Sequence, residues 1–271
     1  MKMALDYAVL AQYGGIHTKP SSESVRDISL LELIRPEYGK PWLEIYQHHL
    51  QAETTGVAAV YVMHTVRGLL AAAHYMISRC GTYVDLSLTN LSIQMLLSDT
   101  GAPQLSFVLH KTEECKLVNH GDAAERRQML EQFYVKTLGP IIEGLAAAGR
   151  VPILALWKQL PGVLIYYVDL FKGGLTCGEQ DLAEYLRVDL ESVQGFSSDV
   201  FNLRKNPFDV EPVYIENPLN AEEPFRMKDA CCEFYRVSDG KNRKCFTCPR
   251  MTAEERNARA EEMRGTVTIS Q

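Results

Sequence analysis

The sequence predicts an α+β protein, a helical and antiparallel-sheet scaffold carrying a small C-terminal cysteine-rich hairpin. Three observations carry that expectation. Two long stretches repeat apolar residues at helical spacing, the block from Thr82 to Val118 changes to short alternating runs, and four of the seven cysteines crowd between positions 231 and 248. With 271 residues, 46% hydrophobic and 23% charged, the composition excludes disorder, collagen-like repeats and a disulfide-stapled miniprotein.

Trp42 to Gln51 and Thr55 to Cys80 read as successive helices, because Val57, Val60, Tyr61, His64, Gly68, Leu69 and Ala72 recur at helical spacing. Leu91 to Met95, Leu105 to Leu109 and Lys116 to Val118 are β-rich runs separated by turn-forming segments, which predicts a small antiparallel sheet or meander. A helix starts near Asp122, where Asp122 and Glu125 resemble a capping box, and Pro140 should kink or end it. Val151 to Phe171 is apolar but broken by Leu160-Pro161-Gly162, giving two buried segments. Glu179 to Val193 is amphipathic, with Leu182, Leu186, Leu190 and Val193 inward. Pro207, Pro212, Pro218 and Pro224 then exclude a regular helix and leave a connector with one short strand at Val213 to Ile215. That connector divides a scaffold of residues 1–220 from a tail of residues 221–271. In the tail, Thr252 and Glu255 make a second capping box, and Glu255 and Arg259 an i,i+4 pair.

A net charge of −6 argues against a nucleic-acid binder. Met1 to Gly15 lacks a signal-peptide pattern. The two most apolar stretches hold His64 and Arg67 in one case and Lys158, Pro161 and Asp169 in the other, which favours core helices over membrane spans. The expectation is a cytoplasmic chain whose cysteines stay thiols or ligands.

The chemistry concentrates in Cys231-Cys232, twelve intervening residues, and Cys245-Phe246-Thr247-Cys248-Pro249. A C-x-x-C turn can aim two sulfurs at one metal, a property shared by zinc sites, iron–sulfur sites and dithiol redox motifs. The adjacent pair is unusual. Neighbouring side chains of an extended chain point to opposite sides, so closing both thiolates on one tetrahedral ion strains the backbone, and a two-iron centre offers a wider target. Between the pairs, Glu233 to Val237 is β-prone and Ser238-Asp239-Gly240 is a turn signal, so a hairpin should bring the cysteines together.

The run Cys231-Cys232-Glu233-Phe234-Tyr235-Arg236, a glycine-containing turn and Cys245-x-x-Cys248-Pro249 resembles the signature of the FhuF-like ferric-siderophore reductase family. Weaker similarity extends through the β-rich middle, the helix with Pro140 and the stretch around Trp157. The loop between the pairs is slightly longer here than is usual in that family. The resemblance implies that Cys231, Cys232, Cys245 and Cys248 ligate a [2Fe–2S] cluster. It also implies a cytoplasmic iron–sulfur oxidoreductase that reduces a ferric siderophore or ferric chelate and draws electrons from an external ferredoxin-like protein or flavin reductase.

Seven basic residues stand against three acidic ones between Phe225 and Arg250. Arg236, Lys241, Arg243 and Lys244 are therefore candidates for docking the chelate or the donor. Gly173-Gly174 lacks a dinucleotide pattern, and His48-His49 and the His110, Cys115, His120 trio read as ordinary packed or surface residues, as do His64 and His74. Two rival readings remain: a binding module in which four cysteines hold zinc and present a basic patch, and an iron–sulfur redox sensor.

Overall fold

A computed structural model of the protein describes residues 5–176, 178–240 and 242–268. Cys177 and Lys241 lie outside them. The α+β expectation holds, with strands that the sequence pattern did not reveal. Helix α1 (Tyr7–Gly14) starts on Asp6 and ends at Gly15, whose φ of 60° is the left-handed conformation glycine adopts freely. Strands β1 (Ile16–His17) and β2 (Arg26–Ser29) lead to the short α2 (Leu30–Leu33) and to α3 (Pro36–Leu50). Helix α4 (Thr55–His74), capped by Thr54, widens into π-helical turns over Tyr75–Cys80.

Strands β3 (Thr82–Val84), β4 (Leu91–Leu97), β5 (Pro103–Leu109) and β6 (Glu114–Lys116) fill the expected β block. It is not one meander. The four-stranded sheet runs β1-β5-β4-β2, while β3 and β6 form a separate pair. In β4 and β5, Leu91 faces Leu109 and Ile93 faces Phe107, and β1 adds on parallel to β5.

Helix α5 (Ala123–Phe133) is capped by Asp122, which accepts the Ala124 N–H, but Glu125 accepts the Val118 and Asn119 N–H groups, so the expected reciprocal box does not form. The chain passes through π-helical turns at Tyr134–Leu138 into α6 (Gly139–Gly149). Pro140 therefore does not end the helical run. It lacks an N–H, and the Gly139 N–H before it donates to Tyr134, five residues back, which is the wider spacing of a π turn.

Helices α7 (Ile153–Trp157) and α8 (Pro161–Gly173) meet at the predicted break, with Pro161 in the first turn where its missing N–H costs nothing. Helix α9 (Gln180–Gln194) buries Leu186 and Val193, and Leu182 and Leu190 are half-buried. The connector contains β7 (Tyr214–Ile215), paired with β8 (Phe225–Arg226). Helix α10 (Ala253–Thr268) begins with the predicted Thr252–Glu255 box, in which both reciprocal bonds form at 2.8 and 3.2 Å. Glu255 pairs with Lys244 and Arg259 with Glu262, so the expected Glu255–Arg259 pair gives way to these contacts.

Helix α4 is the centre of the core. A Cβ on Gly68 would sit 2.2 Å from the Gly14 carbonyl oxygen, so this glycine is what lets α1 lie against α4. By length and composition Thr55–Cys80 and Ile153–Gly173 could each cross a membrane, but 72% of the apolar window of the first is buried by the rest of the fold. Tyr134, Trp157, Phe201 and Phe208 pack a second aromatic focus beside it. The tail is seated on the same core, to which Val237 belongs.

Candidate metal centre

The segment between the cysteine pairs is not a β-hairpin. It forms two 3-10 turns, Phe234–Arg236 and Ser238–Gly240. The β-prone residues are spent on the scaffold instead: Val237 is buried, and the Arg236 carbonyl accepts the Glu53 N–H at 3.1 Å. Glu233 adopts φ 57°, a left-handed conformation that turns the chain away immediately after the adjacent cysteines. Gly240 closes the loop by a backbone approach no other residue permits, since a Cβ there would lie 1.8 Å from the Phe234 carbonyl oxygen.

The loop brings all four predicted cysteines together, in a crossed arrangement. Cys248 Sγ lies 3.4 Å from Cys231 Sγ, while Cys245 is the neighbour that acts most strongly on the Cys232 thiol. Each member of the adjacent pair thus meets a different member of the C-x-x-C turn, and the opposed directions of neighbouring side chains become useful. The Cys231–Cys248 distance is far too long for a disulfide. It is close to the ~3.8 Å that separates two thiolates about 2.3 Å from one tetrahedral metal. All four are free thiols. Among the described residues no three His, Cys, Asp or Glu side chains converge as ligands of a single ion would. Four thiols carried by one loop could hold either a single zinc ion or a two-iron centre.

Backbone contacts fix each arm. The Cys248 N–H donates to Cys245 O at 2.9 Å, which makes the C-x-x-C a tight turn, and Arg256 of α10 donates to Cys248 O at 2.9 Å. The Lys228 N–H donates to Thr247 O at 3.0 Å and joins the two arms. Gln159, just after α7, donates to Cys231 O at 2.8 Å, and Asp229 accepts the Gly162 N–H at the start of α8 at 2.9 Å. Cys232 and Cys248 are buried and Cys231 and Cys245 half-buried, so the sulfurs sit just beneath the surface.

The local field favours the thiolate at Cys232. A hydrogen bond from Cys245 pulls Cys232 down to about 3 against its own burial, with help from His64 and the Lys228 charge. Cys245 moves up, first because it donates to Cys232. Burial pushes Cys231 up to about 12. Lys228 Nζ stands 3.5 Å from Cys232 Sγ. Burial alone would lower its pKa, but the Cys232 and Cys245 sulfurs raise it. A metal centre loaded here must displace protons from the other thiols, so its formation is pH-dependent.

The basic residues expected to dock partners are mostly engaged. Arg236 pairs with Glu53 at 2.7 Å and with Glu233, Arg243 with Glu262 at 3.4 Å, and Lys244 with Glu255 at 2.8 Å. Lys241 lies outside the described residues. Arg250 reaches the buried Glu233 carboxylate at 2.8 Å.

Sequence reasoning missed His64. A lone histidine on an apolar helix reads as core, yet α4 presents it to Cys232. A signal was present: His64 and Arg67 lie three residues apart on a helix otherwise almost wholly apolar, and both line a cleft of about 730 Å³ that has Cys232 in its wall. On α8, Tyr167 and Phe171 are buried, but Tyr166 is 62% exposed and lines this cleft.

The chain matches no protein-family model and no curated protein sequence. Its functional reading rests on the four sulfurs, the cations beside them and the cleft.

Proposed function

We propose that the protein is a ferric-chelate reductase of the FhuF-like kind, acting in the cytoplasm, with Cys231, Cys232, Cys245 and Cys248 as the ligands of a [2Fe–2S] cluster. A cluster of that type supplies reversible one-electron transfer. The observation that carries the reading is the crossed pairing, Cys231 with Cys248 and Cys232 with Cys245. A zinc module needs all four sulfurs around one point, whereas two separate pairs suit two metal ions.

This chain's residues do the rest. Lys228 offsets the negative charge at Cys232, His64 stands as its hydrogen-bond partner, and Gln159 and Arg256 hold the two cysteine-bearing turns in place. Their hydrogen bonds and charges set how easily the site accepts an electron. The acceptor Fe³⁺ gains one electron and becomes Fe²⁺, which hard oxygen donors hold more weakly, so reduction is release. The electron comes from an external one-electron donor, a ferredoxin-like protein or a flavin reductase.

Visible absorption and low-temperature electron paramagnetic resonance of the dithionite-reduced protein test the cofactor. A ferric chelate offered to the reduced protein, with ferrous iron trapped by a colorimetric ligand, tests the reaction. A colourless protein with one zinc per chain would establish the binding-module reading. A cluster whose oxidation no ferric chelate accelerates would establish the sensor.

A further inference from the structure

The cleft beside Cys232 differs in chemistry from the loop surface. It lies between α4, which contributes His64 and Arg67, the start of α8, and the segment from Arg226 to Ala230. Its volume of about 730 Å³ is that of a small-molecule site. Its cations are Arg67, Lys158, Arg226 and Lys228, and its carboxylates are Asp169 and Asp229. Asp229 is occupied by Arg226 at 3.1 Å and by the Gly162 N–H. Among the described residues Arg67 and Lys158 form no ion pair, in contrast to Arg236, Arg243 and Lys244 on the loop. Arg226 Nε is buried with no hydrogen-bond partner, a donor left over in the wall of the cleft. Tyr166 and Tyr214 line it while remaining 62% and 58% exposed, which leaves their rings and hydroxyl groups open to a ligand.

We propose that this cleft binds anionic, carboxylate-bearing ferric chelates of the citrate type, with Arg67 and Lys158 on the carboxylates and the iron facing the Cys232 wall. Why iron should sit at that wall rests on the reductase reading; the charge preference rests on the cleft. A chelate of net negative charge meets a surplus of cations, whereas a neutral or cationic trihydroxamate gains nothing from them. The electron balance points the same way. When the bound Fe³⁺ takes one electron with its donors unchanged, the chelate becomes one unit more negative, and no bond to carbon forms or breaks. The cleft cations therefore hold the product of electron transfer more tightly than the reactant, which favours the forward step.

Gallium(III) chelates test binding without redox. Calorimetric titration of the oxidised holoprotein with gallium citrate, a neutral gallium trihydroxamate and free citrate should give tightest binding for gallium citrate. Arg67→Gln and Lys158→Gln should each weaken that binding roughly tenfold and blunt its sensitivity to salt, with the visible spectrum of the protein unchanged. Equal or tighter binding of the trihydroxamate, equal binding of free citrate, or indifference to both substitutions would overturn the assignment. Retained gallium citrate binding in a protein that reduces no ferric chelate would overturn the reductase reading and leave the cleft assignment standing.

Discussion

The crossed sulfur pairing can be tested on the metal-free protein by oxidation. Cys232→Ser with Cys245→Ser leaves Cys231 and Cys248, whose sulfurs are 3.4 Å apart and need only a small movement to bond. Cys232→Ser with Cys248→Ser leaves Cys231 and Cys245, which belong to different pairs. The first variant should close an intramolecular disulfide under mild diamide at least roughly tenfold faster than the second, because its thiols already stand at near-attack separation. Closing a loop of this length removes unfolded-chain entropy worth about 3 kcal/mol, so the oxidised first variant should also show a higher urea midpoint than its reduced form. Thiol alkylation with mass spectrometry follows the rate, and urea titration the stability. Equal rates in the two variants would refute the crossing and with it the argument for two metal positions.

Three further outcomes follow. Gly240→Ala forces a methyl into the Phe234 carbonyl, 1.8 Å away, and should cost about 2 kcal/mol or more and lower the iron bound per chain; unchanged iron content and melting temperature would show that the loop has slack. Arg126 and Asp189, 1% and 0% exposed, pair at 2.9 Å between α5 and α9. Arg126→Ala should cost about 3–5 kcal/mol in urea unfolding, whereas Arg126→Met with Asp189→Leu should recover most of it, and a double variant no better than the single would contradict this. Burial lowers the His74 pKa to about 3, so between pH 3 and the usual value of about 6.5 the unfolded chain holds a proton that the native state refuses. Stability should be fully present above that range and fall as pH drops through it, and His74→Gln should remove about one proton from the slope of urea midpoint against pH.

The parts of this protein that could be read from sequence are those where one physical signal acts alone. Helix α4 was visible because burial on nearly all sides leaves a long apolar run, and the break between α7 and α8 because Pro161-Gly162 punctuates it. Strand β1 was not, since two residues carry no period. The hairpin differs for another reason: Phe234 and Val237 have the side chains of a strand, but no strand among the described residues pairs with them, and Val237 enters the scaffold core. Cysteine spacing revealed that four sulfurs could meet. It could not reveal which would face which, because that depends on the left-handed turn at Glu233 and the tight approach at Gly240.

His64, Gln159 and Gly162 are scaffold residues that meet the tail beside its cysteines. Each lies on the scaffold, two at the junction of α7 and α8 and one on α4, and each meets the tail within a few residues of a cysteine: His64 at Cys232, Gln159 at the Cys231 carbonyl, Gly162 at Asp229. The same two scaffold regions supply Arg67, Lys158 and Tyr166 to the cleft. The division at the proline-rich connector is therefore one of sequence more than of working parts. Residues of α4 and of the α7–α8 junction thus meet both the sulfur site and the cleft next to it. If the site passes single electrons as proposed, an acceptor in the cleft would be placed relative to Cys232 by the scaffold helices rather than by loops.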